Sequence, residues 1–298
     1  MRAVACAFIV IAQCGKVSSF SCQSQSSSWS TRLRPSFMSI TNAAQALEST
    51  LQVLSGNEQT IENAAKFMVD AFWLQSPQRL IQDDTGISEL SDMAKSSLVK
   101  IQAEDLESKY GDRIGKRKLD ALIIAALESE NNDSGSSSPS ILGMVTLEVR
   151  LMDRQEDFLS VEASERLITQ AVASLGPKQR REFKDASVID VTNQLLSPDI
   201  SAVCTLSNLC VSPMARRQGL AAALCIEAER IAKEGLGFSD LYLRVEVENA
   251  AAKRLYEEKL GYNCAFGVKS TTTLRVDGSA GRFVEVKTDM LVMKKKLR

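Results

Sequence analysis

Residues 208–223 read Asn-Leu-Cys-Val-Ser-Pro-Met-Ala-Arg-Arg-Gln-Gly-Leu-Ala-Ala-Ala. The apolar run Leu206 to Val211 predicts a strand. A short turn then leads into a basic, glycine-containing helix start at Arg216-Arg217-Gln218-Gly219-Leu220-Ala221. A helix N-terminus offers unpaired backbone N–H groups and about half a positive charge from the aligned peptide dipoles. Gly219 and the small Ala221, Ala222 and Ala223 would let an anion approach that backbone closely, so a phosphate group suits the place. The dinucleotide fingerprint needs three glycines and the P-loop needs Gly-Lys-Ser/Thr, and neither pattern is present.

About thirty residues on, Leu241-Tyr242-Leu243-Arg244-Val245-Glu246-Val247 alternates apolar and polar residues, as a half-buried strand does. It runs into Asn249-Ala250-Ala251-Ala252-Lys253-Arg254-Leu255-Tyr256, where Asn249 stands at an N-cap position and Gly261 marks the stop. The two blocks Arg216-x-x-Gly219-x-Ala221 and Asn249-x-x-Ala252-x-x-Leu255-Tyr256, the second followed by Gly261-Tyr262, resemble the GCN5-related N-acetyltransferase (GNAT) superfamily, whose members bind acetyl-CoA. The resemblance spans roughly residues 48–293 and is specific over 205–266. Leu206 to Pro213 with the following Arg-Arg-Gln-Gly is closest in look to plastid members that act on protein N-termini and lysines.

That resemblance implies an α/β (α+β) fold with a central mixed, mostly antiparallel sheet of about seven strands, flanked by helices and splayed between the fourth and fifth. The backbone of Leu209, Cys210 and Val211 would pair with the pantetheine arm, as an open strand edge can. The amides of Gln218, Gly219, Leu220, Ala221 and Ala222 would cradle the diphosphate, with Arg216 and Arg217 adding charge. Asn249 would cap the second helix beside Ala252 and the arm. Tyr256 would protonate the departing CoA thiolate, the alternative being a tyrosine that only packs beside Leu255. The chemistry implied is direct attack by a neutral amine on the thioester, with a fourth-strand N–H holding the oxyanion.

The general base is less well marked. Relatives carry Glu early on the fourth strand, where this chain has Thr205, or on the fifth, where it has Arg244. Glu246, two residues further on the same face, is the substitute candidate; a salt-bridged strand glutamate is the competing reading. Cys210 could form an acetyl-thioester, although a buried strand cysteine explains it as well. The acceptor implied is a protein or peptide amine. An arylalkylamine or polyamine acceptor, or a silent CoA-binding module, are the alternatives.

The chain has 298 residues, 44% hydrophobic and 24% charged, which suits a soluble domain with a full core. A net charge of −1 gives no global field for nucleic acid. With no histidine, His-based triads and His metal sites are excluded. The seven cysteines (Cys6, Cys14, Cys22, Cys204, Cys210, Cys225, Cys264) include no Cys-x-x-Cys pair, so no metal is expected.

Residues 1–47 carry Arg2, Lys16, Arg32 and Arg34 and no acid, leaving 32 basic and 37 acidic residues, net −5, in the remainder. Ala3 to Ala12 is an apolar run too short to span a bilayer but suited to a signal-peptide core. The Ser-rich tract from Ser18 to Ile40 resembles a transit peptide, with Phe20 just past a candidate cut after Val17-Ser18-Ser19. The order is that of a two-part plastid presequence; a secretory signal with a linker is the alternative. No membrane association is expected once the presequence is removed.

The body, 48–298, reads as a strand (Thr50 to Leu54), helices over about 60–72 and 87–110, and a hairpin of Leu119 to Ala126 with Ile141 to Val149 around the polar tract Glu128 to Ser140. Residues 154–200 are an insertion, read as a lid or substrate-side insertion, with structural padding as the alternative. Strands are expected at Tyr262–Lys269 and Arg282–Met293, joined by a Thr/Gly-rich connection, with Lys294-Lys295-Lys296 as a solvated tail.

Overall fold

The computed structural model describes residues 51–76, 79–81, 90–111, 119–128, 140–153, 157–184 and 186–298. The presequence reading of 1–47 and most of the 128–140 tract lie outside them.

Among the described residues, nine strands form one sheet: β1 (Leu51–Leu54), β2 (Leu80–Ile81), β3 (Ala121–Leu127), β4 (Ile141–Asp153), β5 (Asp157–Phe158), β6 (Ile200–Val211), β7 (Asp240–Glu246), β8 (Asn263–Asp277) and β9 (Arg282–Lys296). Their order is β1-β3-β4-β6-β7-β9-β8-β2, with β5 on β4. The expected seven are present, and β2 and β5 are two-residue additions. Of these pairings, β6–β7 and β2–β8 run parallel and the others antiparallel.

Alternation along β3 and β4 sends side chains to two cores. Ile123, Ala125 and Met144 face α1 (Glu58–Met68, continuing in wider turns to Leu74) and α2 (Asp92–Tyr110). Asn57 and Ser91 cap these helices, accepting from Thr60 N and Ala94 N. Buried Trp73 donates from Nε1 to Gln102 Oε1 (2.8 Å) and so ties α1 to α2. Ile124, Val145 and Leu147 on the other face join Leu206, Leu243 and the core under α6 (Leu220–Arg230).

The insertion at 154–200 holds α3 (Val161–Ala173), α4 (Pro177–Glu182) and α5 (Val188–Leu195). Ser160 and Ser187 cap α3 and α5, and Pro177 takes the first position of α4. Ile168, Val188 and Val191 pack into the α6-side core, which makes these helices support for the sheet rather than a lid.

Two expectations at the C-terminus are corrected. The Thr/Gly-rich stretch is not a connection: Thr271, Thr272 and Thr273 lie within β8, where β-branched residues favour a strand, and the turn is confined to residues 278–281. The Lys294-Lys295-Lys296 tail belongs to β9, pairing with β7, and Lys295 Nζ reaches Glu229 Oε2 at 2.6 Å.

Candidate active site at the splay of the sheet

β6 pairs with β7 only at Cys204↔Leu241, Thr205↔Tyr242 and Leu206↔Leu243. Beyond that, Ser207–Val211 stay with β4 while Arg244–Glu246 stay with β9, so the two strands part. A shift of register opposite Met144/Thr146 adds a bulge, and Asn208 there takes a left-handed φ of 52° with Nδ2 bonded to Thr146 Oγ1 at 3.2 Å. Bulges re-aim the backbone they interrupt, here the amides of β6 that face the gap.

A cleft of about 380 Å3 opens at this gap. Its wall brings together five of the residues singled out above: Leu209, Glu246, Asn249, Ala252 and Tyr256. Asn249 Oδ1 accepts from Ala252 N (3.1 Å) and caps α7 (Ala250–Arg254, continuing to Lys259), which carries Tyr256 to the cleft. Tyr256 is buried with its ring edge-on to Tyr262, centroids 5.8 Å apart. Burial, with a smaller push from Cys225, holds its phenol well above the ordinary range, so it stays protonated near neutral pH.

Cys210 and Val211 continue β6 beyond the cleft. The Cys210 side chain is buried in the α1–α2 core, and burial pushes its thiol up, so it is a packed thiol rather than a nucleophile.

The turn from β6 to α6 is exposed at Arg216, Arg217, Gln218 and Gly219, and Arg217 and Gly219 take φ of 66° and 89°. Among the described residues, no side chain caps the first turn of α6, and no atom lies within 4 Å of a Cβ built on Gly219, so the space above it is open. An anion fits such a cradle. Ala222 N is bonded to Gly219 O at 3.0 Å, which limits the available donors to Gln218 through Ala221.

Of the two arginines expected at the phosphate, Arg216 is engaged elsewhere, and the Gln218 side chain folds back on the turn. Arg216 Nε donates to Val211 O (3.1 Å), and its Nη2 lies 3.4 and 3.5 Å from the carbonyls of Gln75 and Ala71 at the end of α1. Gln218 Nε2 donates to Met214 O at 3.0 Å. Both brace the turn.

Glu246 does not suit the role of base. It is 4% exposed, with Oε2 2.8 Å from Arg275 Nη2 and Oε1 3.3 Å from Arg79 Nη2. Each of its carboxylate oxygens faces a guanidinium. The salt-bridged reading of this residue is the one its geometry supports.

The remaining wall includes Phe72, Trp73, Arg79, Arg150, Phe158, Thr205 and Arg244, with Phe158 the sole contribution of the insertion among the described residues. Behind Arg150 lies Glu148, bonded by the Tyr110 hydroxyl and by Arg150 Nε at 2.7 Å. Arg79, Glu148, Arg150 and Arg275 were not singled out from sequence. The legible signal was charge at period two inside strands, Glu148/Arg150 and Arg244/Glu246, which puts polar side chains on one covered face. Among the described residues, no cluster of side chains suited to a metal ion occurs, and no helix is long and apolar enough to cross a membrane.

Residues 151–262 match the model of the Acetyltransferase (GNAT) family, a segment running from the end of β4 through the turn and α7. No curated protein matches the chain. Among solved structures, it is similar to NAA60 of Arabidopsis thaliana in complex with a bisubstrate analogue (15% identity, 84% of this chain and 100% of that one, TM-score 0.42). It is also similar to the ribosomal-protein-S18-alanine N-acetyltransferase of Escherichia coli (15%, 83% and 94%, 0.40). A third is arylalkylamine N-acetyltransferase 2 of Aedes aegypti (14%, 83% and 99%, 0.41). At these scores they say nothing about the acceptor. The matched segment, well under half of the chain, carries the splayed strands and the anion-ready turn, so the likeness to the GNAT family falls on the part of the fold that holds the cleft.

Proposed function

We propose that this protein acetylates α-amines, those of protein or peptide N-termini above all, by direct attack on acetyl-CoA without a carboxylate base. One observation carries the reading. Glu246 is the sole carboxylate in the cleft wall among the described residues, and it is held by Arg275 and Arg79. An α-amine, with a pKa of about 7.7–8, is substantially neutral near pH 7.5, while a lysine of about 10.4 is neutral in roughly one molecule per thousand. A site without a strong base therefore favours α-amines and leaves lysine ε-amines as secondary acceptors.

In this reading the amides of Gln218 to Ala221 hold the diphosphate and the free edge of Leu209 to Val211 holds the pantetheine arm. A β6 N–H near the bulge meets the oxyanion, and Tyr256 returns a proton to the thiolate. A polyamine acceptor is poorly matched to a wall that carries Arg79, Arg150 and Arg244 against one Glu246.

Initial rates of thiol release on a peptide with a free N-terminus and on an Nα-blocked lysine peptide test the proposal; faster lysine turnover overturns it. Tyr256→Phe is expected to lower kcat about a hundredfold while acetyl-CoA binding persists. A silent CoA-binding module would bind without transfer in both forms.

The proposal includes a plastid address, supported by the apolar run Ala3 to Ala12 followed by the acid-free Ser/Arg tract. A fluorescent protein fused behind residues 1–47 should enter plastids in an alga with secondary plastids; its secretion instead would favour the signal-and-linker reading.

A further inference from the structure

Around Glu246, in the cleft wall, two guanidiniums face one carboxylate. Arg275 is satisfied within the sheet: besides Glu246 Oε2, it donates from Nη1 to Thr273 Oγ1 (3.1 Å) and to Leu274 O (3.0 Å). Arg79 is not. It lines the cleft with 21% of its side chain exposed, and its one polar side-chain contact among the described residues is the 3.3 Å approach to Glu246 Oε1, an ion pair too long to count as a good hydrogen bond.

The Arg79 guanidinium is held in place from both sides. It lies over the Phe72 ring (4.8 Å to the centroid) and 5.8 Å from that of Trp73. Its backbone carbonyl accepts from Val276 N at 2.8 Å, where β2 joins β8. Burial, and then Arg275 behind Glu246, oppose its charge more than Glu246 supports it. A fixed, underpaired, half-dry cation with five donors in a planar fork is the arrangement that takes a carboxylate side-on.

We propose that Arg79 receives a carboxylate on the acceptor next to the amine that is acetylated. The substrate class is then an α-amine with an adjacent carboxylate: a peptide whose second residue is Asp or Glu, or a free amino acid with its own α-carboxylate. This rests on the α-amine reading above and narrows it. By neutralising that carboxylate, Arg79 also stops it from holding the proton on the neighbouring amine, which a site without a base cannot otherwise remove.

The test uses the full chain, acetyl-CoA and C-amidated peptides identical except for Asp, Asn or Lys at the second position, with free glutamate and spermidine as further arms. The Asp peptide should exceed the Asn peptide in kcat/KM by about tenfold, a charged hydrogen bond's share, with Lys and spermidine lowest. Arg79→Gln should bring the Asp:Asn ratio close to one and raise the apparent pKa of the acidic limb for the Asp peptide; Arg79→Lys should restore part of both. The ratio is internal to each variant, so partial loss of folded protein does not move it.

If glutamate outpaces the Asp peptide the source is a small amino acid, and if the order is reversed it is a polypeptide; both support the class. Equal or better turnover of the Asn, Lys or spermidine arm by the unmodified protein overturns this inference alone, as does a ratio that Arg79→Gln leaves intact. No thiol release with any acceptor would instead remove the α-amine reading, and this inference with it.

Discussion

Glu148 is 3% exposed and still a carboxylate. Burial works against its charge, but Arg150, Lys109 and the Tyr110 hydroxyl outweigh it and hold the group below its ordinary value of 4.5. Linkage gives the sign. A group whose pKa is lower folded than unfolded stabilises the fold above its unfolded pKa and loses that contribution as pH falls through the folded one. The melting temperature should therefore drop as pH goes below about 4.5. Glu148→Gln should be destabilised at pH 7, with Arg150 left without its anion, and should show a flatter decline in acid. Thermal melts of both proteins at pH 3 to 7 check this, and parallel curves would contradict it. Residues of this kind were hidden in the sequence, since a charge in a strand pattern gives no hint of its partner. Tyr110 is 38 positions from Glu148, and Arg275 is 29 from Glu246. Gly219, Asn249 and Tyr256 were legible because turn, cap and helix position are local properties.

At the scale of elements, β6, the turn after it, α6, β7 and α7 were readable because period-two apolar runs, a small-residue helix start and an Asn cap act over a few residues. The parting of β6 from β7 was implied by the family resemblance, and its physical cause lies in pairing: β6 continues along β4 while β7 continues along β9. Where the sequence misled, competing local signals were the reason. Thr271 to Thr273 was read for its neighbouring glycines, although β-branched residues prefer the extended strand they occupy, and the turn needed only residues 278–281 around Gly281 at φ 59°. Arg216 has the charge of a phosphate ligand, but the carbonyls of Val211 and of the end of α1 lie within its reach. For the 154–200 helices, length alone left a lid and a structural role both open. Their apolar faces, with Ile168, Val188 and Val191 buried, direct them onto the sheet.

Across the whole molecule, the sheet lies between two cores. The core with Leu224 sits beneath α6 and the turn at Gly219, while the core with Leu98 sits beneath α2 and against Trp73, which lines the cleft. Both leucines are fully buried, so Leu→Ala at either should cost about 2–5 kcal/mol. β3 and β4 contribute alternate residues to both cores (Ile123 and Ile124, Met144 and Val145), so neither face can melt while the other keeps its strands. Each variant should therefore unfold in one cooperative calorimetric transition at a lower temperature, not in two. Their functional effects should still separate. Leu224→Ala loosens the helix whose first amides hold the diphosphate in the proposed function, and on that proposal it should raise KM for acetyl-CoA. Leu98→Ala loosens the support of Trp73 and Arg79 and should raise KM for the acceptor. Two calorimetric peaks in either variant would show that the faces are independent units; equal shifts in both KM values would show that the cleft responds as one body.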